Sequence, residues 1–530
     1  MMNRIKVLDC TLRDGGYVNN WEFGKNNIIN IINKLSDSGL EIVECGFLTN
    51  RVKEDKDSTQ FSTIGIISDV LPKQKTNTEY VCMINYGEYN IEDLPDYDGK
   101  SITGIRVAFH KKDLNGALEL CNGIVKKGYK LFIQPMVSVA YSDVEFIELI
   151  KRSNEIFPYA FYIVDSFGVM KRSDLMRFFY LVDNNLNRDI YVGYHSHNNI
   201  QLSYSNAQDL VDLKTKRKLI IDSSVFGMGR GAGNLNTELF VEYLNDVNGA
   251  DYKTKPLLQI IDEVLNNIYI SNYWGYSLPH YISAKHNCHP NYATHLSAKD
   301  TLTAEDISNI LMMLDESQKV NFDAEYVEKL YLKYQSHKID DLDNINKLKD
   351  IFRGKNVIAI APGMSINNSV KAIEELSKQP NTLTVSVNFN PQKIKVDYVF
   401  ISNLRRYDQL EIENDMNLVV TSNVTEASDA TFRVNYIDLL IENSAVSDNA
   451  GLMLIKLLSR LEVRSIMLAG YDGYSYDAYK NYVEKDLTLI KKKTIVDTLN
   501  EGMKKSLNDF AKYNDIQFIT STRYLNLEES

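Results

Sequence analysis

The chain has 530 residues, 44 % of them hydrophobic and 24 % charged, and a formal net charge of −11. These values are ordinary for a globular protein, and at about 100–200 residues per domain they imply two or three domains. An acidic balance without a long basic block argues against a nucleic-acid partner, which needs clustered Lys and Arg. No apolar run reaches the ~18 residues of a membrane span. The five cysteines (Cys10, Cys45, Cys82, Cys121, Cys288) form no CxxC pair. Together with an N-terminus lacking a signal-peptide pattern, they lead us to expect reduced thiols and a cytoplasmic protein.

In chain order, the apolar runs IKVLDC, EIVECGF, EYVCMIN, GIRVAFH, KLFIQPMV, FYIVDSFG, IYVGYHSHNN and LIIDSSVFGMG read as strands, most of them separated by helical stretches. Strands separated by helices imply a parallel sheet, and eight such units fit a (β/α)8 TIM barrel better than an open doubly wound sheet. The barrel is expected over residues 1–265. Residues 266–350 read as a helical extension over the barrel mouth. Residues 351–530 read as a smaller C-terminal doubly wound, Rossmann-like α/β domain. It begins at NVIAIAPG and continues through TLTVSVNF, VDYVFIS, LVVTS, RSIMLAG and IQFITS, with a long helix around Asp486 to Tyr513.

Asp9 to Tyr17 reads DCTLRDGGY and places Arg13 and Asp14 just past the first strand. A buried charged pair there costs several kcal/mol (~) unless compensated. It is either a salt bridge capping the strand or a metal-binding carboxylate beside an Arg that meets developing negative charge. His195 and His197, in YHSHNN at the seventh strand end, project to the same side, because residues i and i+2 of a strand do. Two neutral imidazoles side by side form a divalent-metal chelate. Barrel closure brings strands seven, eight and one together, so Asp14 shares the mouth with both histidines. Two His and one carboxylate leave coordination positions open for substrate. Asn234, closing the Gly-rich GMGRGAGN after the eighth strand, could add a carbonyl oxygen. Glu44, ending the second strand, could hold the Arg13 guanidinium. Arg106, His110, Gln134, Asp165 and Ser166 lie near other strand ends and are candidates for substrate contact.

This set resembles the DRE-TIM (HMGL-like) metallolyases, which include hydroxymethylglutaryl-CoA lyase, 4-hydroxy-2-oxovalerate aldolase and the isopropylmalate and homocitrate synthases. The resemblance covers roughly residues 4–290. It implies a divalent metal, Mn2+ or Mg2+, on Asp14, His195 and His197 with Asn234 in or near the shell, and Arg13 stabilising an enolate oxygen, oriented by Glu44. RDGGY, VDSFG and GAGN are more similar to the hydroxy-oxovalerate aldolases than to the synthases. Those aldolases carry a His acid/base where this chain has Tyr17. A tyrosine, with its pKa near ~10, is a poorer base. His286, from the cluster His280, His286, His289 and His295, is the expected substitute, and Lys285 could neutralise an acidic substrate.

The expected activity is therefore that of a carbon–carbon lyase or aldolase, acting beside the carbonyl of a pyruvate-type 2-oxo acid through a metal-stabilised enolate. An aldehyde or sugar is the expected partner, in bacterial carbohydrate or cell-surface biosynthesis. A Claisen-type acyl-CoA condensing enzyme is the alternative. The C-terminal turn APGMS and the strand end LAGYDGYS loosely resemble the Rossmann-type domains of sialyltransferase-like surface-polysaccharide enzymes. That resemblance implies a nucleotide or sugar-phosphate ligand, or glycosyl chemistry located there; a scaffolding domain is the other reading. Related barrels self-associate, so a homo-oligomer is expected by resemblance.

Overall fold

The computed structural model describes residues 4–524, apart from 75, 214, 414, 415, 490 and 492. The chain divides into two compact units: Met1–Thr294 with Asp315–Phe322, and His295–Leu314 with Asp323–Ser530. The helical stretch 266–350 is thus divided between them.

Eight parallel strands close the first unit into a barrel. They are β1 (Ile5–Asp9), β2 (Ile42–Leu48), β3 (Glu79–Asn85), β4 (Gly104–Phe109), β5 (Lys130–Pro135), β6 (Ala160–Asp165), β7 (Tyr191–Ser196) and β8 (Leu219–Ser223). Neighbours in sequence are neighbours in space, and β1 pairs with both β2 and β8. A two-residue strand, Gln60–Phe61, adds to β2. All seven residues of β2 are buried. Strands packed on both faces read as continuous apolar runs, which is why they stand out in the sequence. The covering helices bury one stripe each: Lys25–Asp37 turns Ile28, Ile31, Ile32 and Leu35 inward, an i, i+3, i+4, i+7 pattern.

Alternate strand residues point into the barrel. One inward layer is apolar: Leu8, Ile42, Val81, Phe132 and Ile220 pack together. Each such side chain contributes about 1.5–3 kcal/mol when fully buried. Two residues further toward the strand C-termini, the inward positions change to Glu44, Arg106, Gln134, Tyr162 and Asp222, all buried. The polar layer rests on an apolar floor, and the site lies above it.

The second unit holds seven parallel strands: β9 (Asn356–Ile360), β10 (Thr382–Val387), β11 (Tyr398–Ile401), β12 (Leu418–Thr421), β13 (Phe432–Val434), β14 (Ser465–Ala469) and β15 (Ile516–Phe518). Their order is β13-β12-β11-β10-β9-β14-β15, so the winding reverses between β9 and β14. This is the doubly wound sheet expected from the sequence. The edge strand β13 was not anticipated: it has three residues and pairs on one side only, too short to show a period. The expected long helix runs over Lys493–Ala511.

The loop after β1 is shaped around Gly16. A Cβ there would lie 2.0 Å from Cδ1 of Trp21. Trp21 is pinned by its Nε1, which donates to the Arg13 carbonyl at 2.8 Å, and by ring contact with Phe47. Gly16→Ala should therefore cost about 1–3 kcal/mol, the usual range for overpacking. The check is the denaturant midpoint followed by tryptophan fluorescence; an unchanged midpoint would contradict this packing.

Candidate active site

The loop leaving β1 brings Asp14 to the end of β7, where it meets His195 and His197. One ligand atom from each of the three lies within 4.8 Å of the others, and all three residues are buried. Asn234 donates Nδ2 to Asp14 Oδ2 at 2.6 Å and to the Met228 carbonyl at 3.2 Å. The Gly-rich loop must approach closely for this: a Cβ on Gly229 would stand 2.1 Å from Asn234 Nδ2 and 2.6 Å from Asp14 Oδ2.

Two polar atoms of this cluster, His197 Nδ1 and Asn234 Oδ1, are buried without a hydrogen-bond partner. Leaving such a group unsatisfied costs about 1–3 kcal/mol. Burial pulls His197 down to about 3, so its imidazole is neutral, the form that ligates a cation. Burial works against the Asp14 charge, but the Arg13 guanidinium, then His197, His195 and the Asn234 amide, hold Asp14 well below the ordinary carboxylate range. The neutral His197 imidazole, the His195 ring beside it, an ionised carboxylate and an orphaned amide oxygen suit a divalent cation with O/N ligands.

Beneath the triad runs a chain of buried charges. Arg13 Nη1 meets Asp14 Oδ1 at 2.6 Å. Glu44 Oε2 lies 2.8 Å from Arg13 Nε and 2.8 Å from Arg106 Nη1. Arg106 Nη2 reaches Asp222 Oδ2, and the same oxygen lies 3.0 Å from His195 Nδ1. Tyr162 donates its hydroxyl to Asp222 Oδ1 at 3.0 Å and lies with its ring under the Arg106 guanidinium, 4.9 Å away. With its amide turned to satisfy both partners, the Gln134 oxygen accepts from Arg106 Nε at 2.9 Å. Two guanidinium cations face three carboxylates, leaving one uncompensated negative charge beside two imidazoles. Asp222 fixes the His195 tautomer with the proton on Nδ1, which frees Nε2. A carboxylate behind a ligating histidine is the usual outer partner of such sites.

Several expected residues serve this framework. Arg106 and Gln134, expected at the substrate, lie inside the barrel: Arg106 holds Glu44 and Asp222, and Gln134 accepts from Arg106. Asp165 accepts the amides of Val169 at 2.9 Å and Met170 at 3.0 Å, and burial pushes it up to about 7. Ser166 Oγ accepts the Val137 amide at 2.9 Å. Tyr17, 39 % exposed, packs edge-on to Trp21. Burial raises its hydroxyl further, although Arg230 and Arg13 oppose this. It stays protonated at neutral pH, the form that donates a proton. All five cysteines are buried and free.

Arg230 was not among the expected residues, and where His286 was expected, His289 stands near Arg230. Burial, then Lys285 and Lys319, lower His286, with no group of this cluster among those causes. His289 packs its ring on Phe167 in the loop after β6. Burial, with Arg230 and His110 nearby, lowers it to about 3. Arg230 lies over the Tyr17 ring at 5.5 Å and donates to the Ser166 carbonyl at 3.3 Å. It has no carboxylate within ion-pair distance among the described residues. Its position inside a glycine-rich loop was the available signal.

Residues 110–266 match the family described as HMGL-like. Oxaloacetate decarboxylase of Mycobacterium tuberculosis (strain ATCC 25618 / H37Rv) is 24 % identical over 250 residues, covering 45 % of this chain and 69 % of the relative. A 4-hydroxy-2-oxovalerate aldolase of Pseudoalteromonas translucida (strain TAC 125) is 23 % identical over 255 residues, covering 46 % and 70 %. Among solved structures, the N-terminal domain of a Bacteroides vulgatus protein is 25 % identical, with a TM-score of 0.47, and covers 55 % of this chain and 96 % of that one. The HMGL-like match thus lies within the barrel of the first unit.

Proposed function

We propose that the barrel is a divalent-metal-dependent carbon–carbon lyase that makes or breaks a bond next to the carbonyl of a 2-oxo acid. The observation that carries this reading is the convergence of Asp14, His195 and His197 beside the buried Arg13. The relatives' names, oxaloacetate decarboxylase and 4-hydroxy-2-oxovalerate aldolase, support the substrate class. Asp14, His195 and His197, with Asn234 Oδ1 beside them, would hold a Mn2+ or Mg2+ ion, which would supply Lewis-acid charge to a carbonyl oxygen.

The chain's own groups do the rest. Arg13 commits Nε and Nη1 to Glu44 and Asp14, and its second terminal nitrogen remains for an oxyanion. Arg230 offers a cation to the substrate carboxylate. Tyr17, protonated at neutral pH, delivers a proton to the enolate carbon and is reprotonated from solvent; run in reverse, with its phenolate taking a methyl proton, the same step forms the enolate of pyruvate. An aldol cleavage also needs a base to take the hydroxyl proton. A decarboxylation does not: loss of CO2 leaves its electron pair on the enolate, and one proton donor completes the reaction. A tyrosine where a histidine base would be needed therefore favours decarboxylation or an aldol with a base other than Tyr17. Condensation with an aldehyde or sugar, in carbohydrate or cell-surface biosynthesis, is the finer form of the aldol reading.

The full chain with Mg2+ or Mn2+ should release pyruvate from oxaloacetate or a 4-hydroxy-2-oxo acid above the uncatalysed rate, measured by coupling to lactate dehydrogenase. Chelation and His195→Ala should both abolish it. Release of free CoA from an acyl-CoA, without pyruvate formation, would replace this reading with the Claisen one. Asp222→Asn keeps the size of the side chain but removes the charge behind His195. It should weaken metal affinity about 10–100-fold, as loss of an outer-shell carboxylate does. Isothermal titration with Mn2+ measures this, and unchanged affinity would remove Asp222 from the site.

A further inference from the structure

The second unit encloses a cavity of about 820 Å3, located where its strand order reverses. The ends of β9, β10 and β14 open into it through Ala361–Gly363, Val387–Asn388 and Gly470–Tyr474, and helix Ala450–Arg460 starts at its wall. In open parallel sheets, this reversal leaves a crevice at the carboxyl ends of the strands. The two central loops are tied across it: Ser365 donates its amide to Asp472 Oδ2 at 2.7 Å, and its hydroxyl to Oδ1. The crevice is built into the framework of the sheet.

We propose that this cavity is a second ligand site, taking a nucleoside diphosphate, free or sugar-linked. Its volume lies in the upper part of the range of about 300–1,000 Å3 found for small-molecule sites, far larger than a three- or four-carbon oxo acid requires. Its polar groups fall into distinct sets. At the start of the eleven-residue helix, Asn449 accepts the Leu452 amide at 3.1 Å. The amides of Ala450 and Gly451, before it in the first turn, have no partner among the described residues and face an anion-favouring helix terminus. The second, independent group is Lys491. Its ammonium lies over the Tyr474 ring at 5.3 Å and pairs with Asp300 at 2.6 Å, with a side chain only 13 % exposed. Tyr474 also receives Asn449 Nδ2 on its hydroxyl at 3.1 Å, which links the lysine to the helix start. Amides and a buried cation suit phosphate oxygens. Tyr471 and Tyr524 add aromatic wall that a base can lie against. Asp448 spends Oδ2 on Tyr331 at 2.8 Å and Thr301 at 3.3 Å; its Oδ1 remains for a ligand hydroxyl.

The test is calorimetric titration of the full chain with UDP, ADP, GDP and CDP in EDTA, with inorganic phosphate as a separate probe. At least one nucleotide should bind saturably at one site per chain. Lys491→Met should weaken it about tenfold or more, the loss expected for one charge-assisted contact. Ala450→Trp, which fills the space at the helix start, should remove binding, whereas His195→Ala in the barrel should leave it unchanged. The proposal is overturned if no nucleotide binds, if phosphate binds as tightly as every nucleotide, or if both cavity variants bind like the parent.

Discussion

The arrangement at the barrel mouth depends on one oxygen. Glu44 Oε2 stands 2.8 Å from nitrogens of both Arg13 and Arg106, and through them it fixes Asp14 on one side and Asp222 with His195 on the other. A single ion pair at ~4 Å is worth about 4 kcal/mol at an effective dielectric of about 20, and desolvating two charges can cost as much or more. The chain is sustained because each carboxylate is shared and each guanidinium is held by more than one group. One negative charge is still left over, beside two imidazoles. That surplus, more than any single ligand, makes the site receptive to a dication.

The same constraint explains the local sequence. Arg13 and Asp14 leave β1 side by side, and the two residues that follow are glycines because a Cβ would strike the Thr11 carbonyl at one and the Trp21 ring at the other. Glu44, Arg106 and Asp222 each stand at an inward position of a strand whose other residues are apolar. They tolerate burial because the layer below is packed with Leu8, Ile42, Phe132 and Ile220, and because each meets an opposite charge at its own level.

The barrel, the second parallel sheet and the meeting of Asp14 with His195 and His197 could all be read from the chain, because each leaves a local pattern: continuous apolar strands, an i, i+2 histidine pair, a charged pair at a strand end. What could not be read was long-range. Asp222 is a lone aspartate ending an apolar run, and only barrel closure brings it to His195. Arg106 and Gln134 stand near strand ends like ligand-binding groups, but their inward parity places Arg106 against Glu44 and Asp222 and Gln134 against Arg106. Among four clustered histidines nothing local separates His286 from His289; the packing of the latter on Phe167 does. Tyr17 was recognised as a departure, and its environment strengthens the point by holding the phenol protonated.

The most direct test of the account is solvent exchange into the methyl group of pyruvate. The full chain would be loaded with Mg2+ and incubated with pyruvate in D2O, and the loss of methyl proton signal followed by NMR. Metal-dependent exchange, lost in Glu44→Gln as well as in His195→Ala, is the predicted result: it would show that the enolate forms and that the buried charge chain is required for it. Exchange that persists in Glu44→Gln, with metal affinity intact, would contradict the role given to Glu44 and to the chain it anchors.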